Sequence, residues 1–231
     1  KLVARDVVRV VTPGTIVEDE LLDPTTTNCL IAIENDIVGW GAACLDVSTG
    51  ESWAAQTLND RDHRKLYDLL ARVRPAEVIV SGEAASALWL RSVLPAKACL
   101  TVRETVKGAP QPSWAAGSVW RNHHLALNAA LAARQYVDEA KFRLRELPEP
   151  VSREAGAFMQ LDETAIRTLE LIEAASGEKR HTLWGLLDQC RTPMGSRKLK
   201  TWLLHPSTDL REIEHRQNCV EDLLDKPDAR L

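Results

Sequence analysis

The hydrophobic period of this chain changes part-way along. From Cys29 to Ile33 every position is apolar, which predicts a strand covered on both faces. Asn35-Asp36 can turn the chain, Gly41 to Val47 reads as a second strand, and Ser48-Thr49-Gly50 turns it into a third from Ser52 to Leu58. Three sequential antiparallel strands are the economical reading. Leu66, Leu69, Leu70 and Val73 then fall at i, i+3, i+4 and i+7, a helix that Asn59 or Asp60 can cap and Pro75 stops. Glu77 to Val80 predicts a fourth strand, parallel to a neighbour because a helical crossover leads to it. A short helix around Ala84 to Ser92, a fifth strand from Ala98 to Val102 and a helix from about Asn122 to Val137 complete the unit.

Beyond a charged, proline-bearing window from Asp138 to Glu154, the strand period disappears. Leu161, Ala165, Leu169 and Ile172 form a helical stripe, with Glu163 placed to pair with Arg167 and Gly177 to end the helix. Leu183, Leu186, Leu187 and Cys190 make another. In the last, Leu210, Ile213, Gln217, Val220 and Leu224 alternate by three and four residues behind an Asp209/Glu212 cap pair. Four helices cover one another only partly, so exposed apolar surface is expected near Ile213 to Leu224. The order β-β-β-α-β-α-β-α fits a ribonuclease-H-like mixed α/β sheet, followed by a partial all-α unit. Boundaries are expected at 1–24 for a lead-in and linker, 25–147 for the α/β unit and 148–231 for the first helices of the second.

Between the last two stripes stands Thr192-Pro193-Met194-Gly195-Ser196-Arg197, running into Lys198-Leu199-Lys200-Thr201-Trp202-Leu203-Leu204. Thr192 can cap this helix and Pro193 suits its first position, where a missing N–H costs nothing. Gly195, Leu199, Trp202 and Leu203 share one face, expected to be packed, while Arg197, Lys198, Lys200 and Thr201 project away from it. That basic side is either solvated or in contact with phosphate or an acidic partner, which makes Arg197, Lys198 and Lys200 candidate phosphate contacts.

This stretch resembles a signature of the bacterial MutS family of DNA mismatch-repair proteins, and two further segments resemble the family in the order it uses. Arg5 to Thr15, with Val11-Thr12-Pro13-Gly14-Thr15, is similar to the passage from the mismatch-binding domain to the connector domain. Leu30 to Ile33 with Gly39 to Gly50 resembles the first hairpin of the connector, and Met159 to Leu171 the entry to the helical core. The match is interrupted between Val102 and Leu125, where Gly108 to Trp114 departs from the family pattern. The resemblance implies a ribonuclease-H-like connector joined to the start of the core, in a parent that binds mismatched double-stranded DNA, uses ATP and magnesium, works as a homodimer and recruits MutL. The family's mismatch-reading Phe-x-Glu element is expected before Lys1 and its nucleotide-binding domain beyond Leu231. With no initiating methionine, the sequence reads as an internal fragment.

Composition narrows the remaining classes. The chain has 231 residues, a formal net charge of -4 and no G-x-x-x-x-G-K-[ST] loop among its 11 glycines, so it is expected to hold no nucleotide cofactor and to bind DNA weakly by itself. Its apolar runs are far shorter than the roughly 20 residues that span a bilayer, and no signal segment opens it, so a cytoplasmic location without a membrane partner is expected. Five cysteines without C-x-x-C spacing argue for buried thiols rather than a disulfide framework or zinc, and His123 and His124 face different ways on a helix.

Catalytic readings fare poorly. Asp46 at a strand end resembles the first metal-binding acid of ribonuclease-H-like nucleases, but two-metal chemistry needs several converging carboxylates. The fourth strand offers only Glu83 beyond its end; Asp138 and Glu139 sit in a charged stretch expected to be solvated. Asp46 therefore reads as the shaper of its turn. The alternatives are a stand-alone magnesium-dependent nuclease, with Asp46→Asn as its control, and a MutS relative acting outside mismatch repair. Most of the 7 tryptophans share apolar faces and are expected to pack. Trp114 and Trp120, in the proline-rich departure, are the candidate partner contacts.

Overall fold

The computed structural model of the chain describes residues 10–17, 28–60, 62–81, 90–91, 94, 98–103, 112–140, 147, 149–153, 158–159 and 161–226. Three antiparallel strands, β1 (Leu30–Asn35), β2 (Gly39–Asp46) and β3 (Glu51–Leu58), lead into α1 (Arg64–Val73) and β4 (Glu77–Ser81). β5 (Cys99–Arg103) follows, then two 3-10 turns (Ser113–Ala116 and Ser118–Asn122) and the long helix α2 (His124–Glu139). A short strand β6 (Val151–Arg153) closes a six-stranded sheet of order β5-β4-β1-β2-β3-β6, with β4, β5 and β6 parallel to their neighbours β1, β4 and β3. This is the mixed sheet the sequence predicts, extended by a strand that lies in the charged, proline-bearing window. Leu90 and Arg91 are helical; the rest of the helix expected around 84–92, and residues 104–111 of the departure from the family pattern, lie outside the described residues.

Alternation along the central strands sends side chains to two opposite cores. Ile31, Ile33, Trp40, Ala42 and Cys44 meet Leu66, Leu69, Leu70 and Val73 of α1. Leu30, Ala32, Leu45 and Ile79 meet Ala133 and Val137 of α2, while Ala43 and Ala54 meet Ala126, Ala129 and Ala130. The alanine stripe lets α2 lie close to the sheet, so close that a Cβ on Gly41 would stand 2.1 Å from the Leu125 carbonyl carbon. Asp60 organises the start of α1 from a distance: its carboxylate accepts from the Lys65 and Leu66 amides and from the Trp40 indole.

Cys29 and Cys44 are buried as expected, but they are not free thiols. Cys29 directly precedes β1 and Cys44 lies on β2, with Cα atoms 6.3 Å apart, and their sulfurs form a disulfide. Cys99, Cys190 and Cys219 are free and exposed.

The helical part contains α3 (Glu163–Thr168), α4 (Leu183–Leu187), α5 (Pro193–Leu204) and α6 (Leu210–Asp225). Asp162, Thr182, Thr192 and Asp209 each cap one of them by accepting a backbone N–H. The first helix is shorter than its stripe predicts. It ends at Thr168, Glu170 takes a left-handed conformation, and the Glu170 and Leu171 carbonyls accept from the Leu183 and Trp184 amides. Residues 169–172 are thereby drawn off the helix axis: Leu171 and Ile172 are buried beside Ile166, Trp184 and Leu204, and Leu169 is left exposed. Gly177, at positive φ, serves a later turn. Leu186 and Leu187 also face solvent, so the α4 stripe does not form a packed face among the described residues. No residue of α6 is buried, in keeping with the exposed apolar surface expected there.

Candidate functional site

Sheet and helices meet at the β2–β3 turn. Asp46 is 7% exposed, and its Oδ1 accepts from the Ser48 amide (2.9 Å), the Ser48 hydroxyl (2.6 Å) and the Thr49 amide (3.1 Å), while its carbonyl accepts from Gly50 at positive φ. Burial raises its carboxyl above the ordinary range despite those bonds and the nearby Arg197 guanidinium. The carboxylate is spent on shaping the turn. Among the described residues no group of three His, Cys, Asp or Glu side chains is placed to hold a metal ion.

The turn presents Ser48 and Glu51 to α5. Arg197 donates from Nη2 to the Ser48 hydroxyl at 3.3 Å. Glu51 bridges two cations, Arg153 on β6 at 3.0 Å and Lys198 on α5 at 3.2 Å. Burial would raise the Glu51 carboxyl, yet Lys198 and Arg153 together hold it below its ordinary value. Arg153 is itself sandwiched, its guanidinium carbon 4.9 Å from the Trp53 ring centroid and 4.7 Å from that of Phe158. Phe158 in turn forms a β-bridge with Ser207 and an edge contact with His205. A second ion pair, Arg74 with Glu173, ties the end of α1 to the segment after α3.

Glu51, Arg153, Phe158 and Lys198 border a cleft of about 670 Å³ between the sheet edge and α5–α6. On its helical wall Arg216 stacks 4.5 Å from the Trp202 ring and pairs with Glu212 at 2.7 Å. His205, 8% exposed, also lines the cleft; its Nδ1 lies 3.2 Å from the Thr201 carbonyl. Burial, reinforced by Arg153 and Arg72, pushes its pKa down to about 4, so the ring is neutral at neutral pH.

The signature helix is capped and started as the sequence predicts, with the Gly195 amide donating to Thr192 Oγ1 at 3.1 Å and proline in its first turn. Its orientation corrects the expectation that the basic residues all project away from the packed side, and of the alternatives left open for them Lys198 meets an acidic partner, Glu51. The buried stripe is Ser196, Arg197, Lys200 and Leu204; of the face expected to be packed, Leu199 and Leu203 pack part-buried on the Ile166 cluster, while Trp202 is 37% exposed. Polar partners cause the rotation. Arg197 finds Ser48, Ser196 donates to Asp188 at 2.5 Å, and the Lys200 ammonium stands 4.9 Å from the Trp184 ring, whose other cation is Lys179 at 3.7 Å. Lys179 and Ser196 hold Asp188 at about 2, against the upward pull of burial. Lys198, bound to Glu51, is the half-exposed member of the basic trio.

Trp120 is corrected too: at 3% exposure it lies in the core under α2, not on a partner-facing loop. Trp114 is half-buried against it, ring centroids 5.7 Å apart. Glu51 and Arg153 are the site residues that sequence reasoning misses. Arg153 lies in the charged window that suggests a domain boundary, where charge signals solvent, and nothing local says that β6 will bring it beside Trp53.

Two family models match the chain. MutS domain II covers residues 28–149, more than half of the chain, and MutS domain III covers 164–231. The chain belongs to the MutS family. Curated relatives agree: it is 36% identical to the DNA mismatch repair protein MutS of Symbiobacterium thermophilum over 99% of its length, and 33% identical to that of Myxococcus xanthus over 96%. The corresponding protein of Caldanaerobacter subterraneus subsp. tengcongensis is 30% identical over the whole chain. The chain spans about 28% of the length of the first and third of these relatives and 26% of the second. The junction of Glu51, Arg153 and Lys198 joins the domain II match to residues 150–163, which neither family model covers, and to the domain III match. Among the described residues no helix is long and apolar enough to cross a membrane.

Proposed function

We propose that this chain is the connector and opening core segment of a mismatch-repair protein, transmitting mechanically between mismatch recognition and the ATPase of the intact molecule without chemistry of its own. One observation carries the reading: the sheet and the signature helix are joined by a partly buried, charge-paired junction, in which Glu51 holds Arg153 and Lys198 while Arg197 reaches Ser48. Directional polar contacts fix the relative orientation of two packed bodies more strictly than apolar contact does, so a rotation of one is passed to the other. The strand order β3-β2-β1-β4-β5 supports a ribonuclease-H-like layout, and the engagement of Asp46 by Ser48 and Thr49 supports a structural rather than metal-binding role for it.

In the intact protein, mismatched double-stranded DNA, ATP with magnesium, a second subunit and MutL are the proposed partners, with the sheet lobe contributing to MutL recruitment. Charge reversal tests the coupling. Glu51→Lys in an intact family member should reduce the response of its ATPase to mismatched DNA, and adding Lys198→Glu should restore part of it. An unchanged response sinks the coupling reading. Removing the sheet lobe should leave mismatch affinity largely intact and impair MutL recruitment; undiminished recruitment refutes that part.

A further inference from the structure

Glu77, the first residue of β4, is 1% exposed, and its carboxylate is bonded by hydroxyl and backbone amide groups. Its two carboxylate oxygens accept from four donors on three separate elements. Oε2 takes the Thr12 hydroxyl at 2.6 Å and the Gly14 amide at 3.0 Å; Oε1 takes the Thr101 hydroxyl of β5 at 3.0 Å and the Tyr136 hydroxyl of α2 at 2.5 Å. A buried charge needs this many donors, because desolvation is offset only when its lone pairs are filled.

Thr12 and Gly14 belong to an arm, residues 10–17, that neither family model covers. The arm is a tight turn closed by the Thr15 amide on the Thr12 carbonyl, and it touches the sheet lobe at more than one point. The Val10 amide donates to the Ala140 carbonyl at the end of α2, Asn28 donates its side-chain amide to the Ile16 carbonyl, and Val17 packs on the Leu30–Val137 core. At the centre the backbone passes so near Glu77 that a Cβ on Gly14 would stand 2.9 Å from the Glu77 Cβ. Arg103 braces the outside, stacking 5.2 Å from the Tyr136 ring and pairing with Glu139.

We infer that Glu77 is a positioning residue: a buried latch that locks the 10–17 arm to β4, β5 and α2, so that whatever enters through the arm moves with the sheet as one body. The inference rests on the coupling reading for its purpose, but not for its geometry. The arm is the route by which the chain ahead of Val10 reaches the sheet, and an arm held only by apolar contact would pivot. Four donors converging on one carboxylate fix its direction.

Amide hydrogen exchange on the 231-residue chain tests the latch. Glu77→Gln puts an amide donor where hydroxyl and amide donors converge, and should lower the protection of the Gly14 and Thr15 amides roughly tenfold or more, as expected for loss of a charged acceptor. Protection of Ala32 and Ala43 in β1 and β2 should stay within about threefold. Thr12→Val, which removes a donor and leaves the carboxylate buried, should reproduce the arm effect, and it serves if Glu77→Gln fails to fold. Spin labels at Val10 and Asn128 should give one narrow distance in the parent chain and a broad distribution in either variant. Equal loss of protection across arm and strands would reduce Glu77 to a general stabiliser, and an undisturbed arm would remove the latch; either overturns the inference. The charge-reversal experiment at Glu51 stands or falls separately.

Discussion

The sheet lobe and the helical lobe bury their apolar residues to very different degrees. Leu30, Ile31, Leu66, Leu70 and Val78 have no measurable exposure, covered by α1 on one face and α2 on the other. α6, just as long as α2, has no fully buried residue; Leu210, Val220 and Leu224 are more than half exposed. Both lobes carry clear amphipathic patterns, so the pattern says which face wants cover and not whether cover is at hand. The sheet closes on itself because its crossover helices are local in sequence. The helical lobe has a smaller apolar cluster of its own, around Ile166, Leu171, Ile172, Trp184 and Leu204, and its described side-chain bonds to the sheet lobe run through charged groups.

This difference has its largest consequence in the sheet core. Leu66→Ala removes a side chain wedged between α1 and the central strands, and should cost about 3–4 kcal/mol in urea unfolding, transfer and cavity terms together. A cost below about 1 kcal/mol would mean that the α1 face is not packed as described.

The next effect lies at the junction and depends on pH. His205 has its pKa held down to about 4 in the folded chain against about 6.5 unfolded, so the unfolded state binds more protons between these values. Stability is therefore full above pH 6.5 and falls as the pH drops toward 4, by roughly 3 kcal/mol in all. Between pH 6.5 and 5 the unfolded imidazole takes up protons that the folded one does not. His205→Gln should flatten the profile there; an unchanged slope assigns the dependence elsewhere.

Much of the fold was legible in the sequence, and the failures share a cause. The five expected strands, the α1 stripe and the Thr192 cap depend on local periodicity and local hydrogen bonds, and all five strands are there. The rotation of α5 depends on Ser48, 149 residues away from Arg197 in sequence, and a basic face looks solvated until its distant acceptor is known. β6 was hidden for the same reason, being three residues long and defined only by its partner β3. Glu77 opens the expected fourth strand, and nothing local marks its role, because its four donors come from the arm, β5 and α2. Polar junctions escape the sequence where apolar cores do not: burial leaves a period, and a long-range hydrogen bond leaves none.

Within the junction, Glu51→Gln keeps the shape and removes the charge that Arg153 and Lys198 share. With Lys198 nearly half exposed and screened, the cost should be about 1–2 kcal/mol, most of it from Arg153, whose side chain is 20% exposed. Raising the salt concentration should shrink the difference between variant and parent only slightly, because screening reaches Lys198 and hardly reaches Arg153. A difference that vanishes in salt would place the whole bridge at the surface.

The least costly truncation is on α6. Leu224 sits on α6 at 61% exposure, so Leu224→Ala should change the stability of the 231-residue chain by less than about 0.5 kcal/mol, a fraction of the Leu66→Ala cost for the same atoms removed. Nothing in the helix's own sequence distinguishes the two leucines; only what lies opposite them does. A loss above about 1.5 kcal/mol would show that α6 is covered in solution, and concentration dependence of that loss would identify the cover as a second copy of the chain.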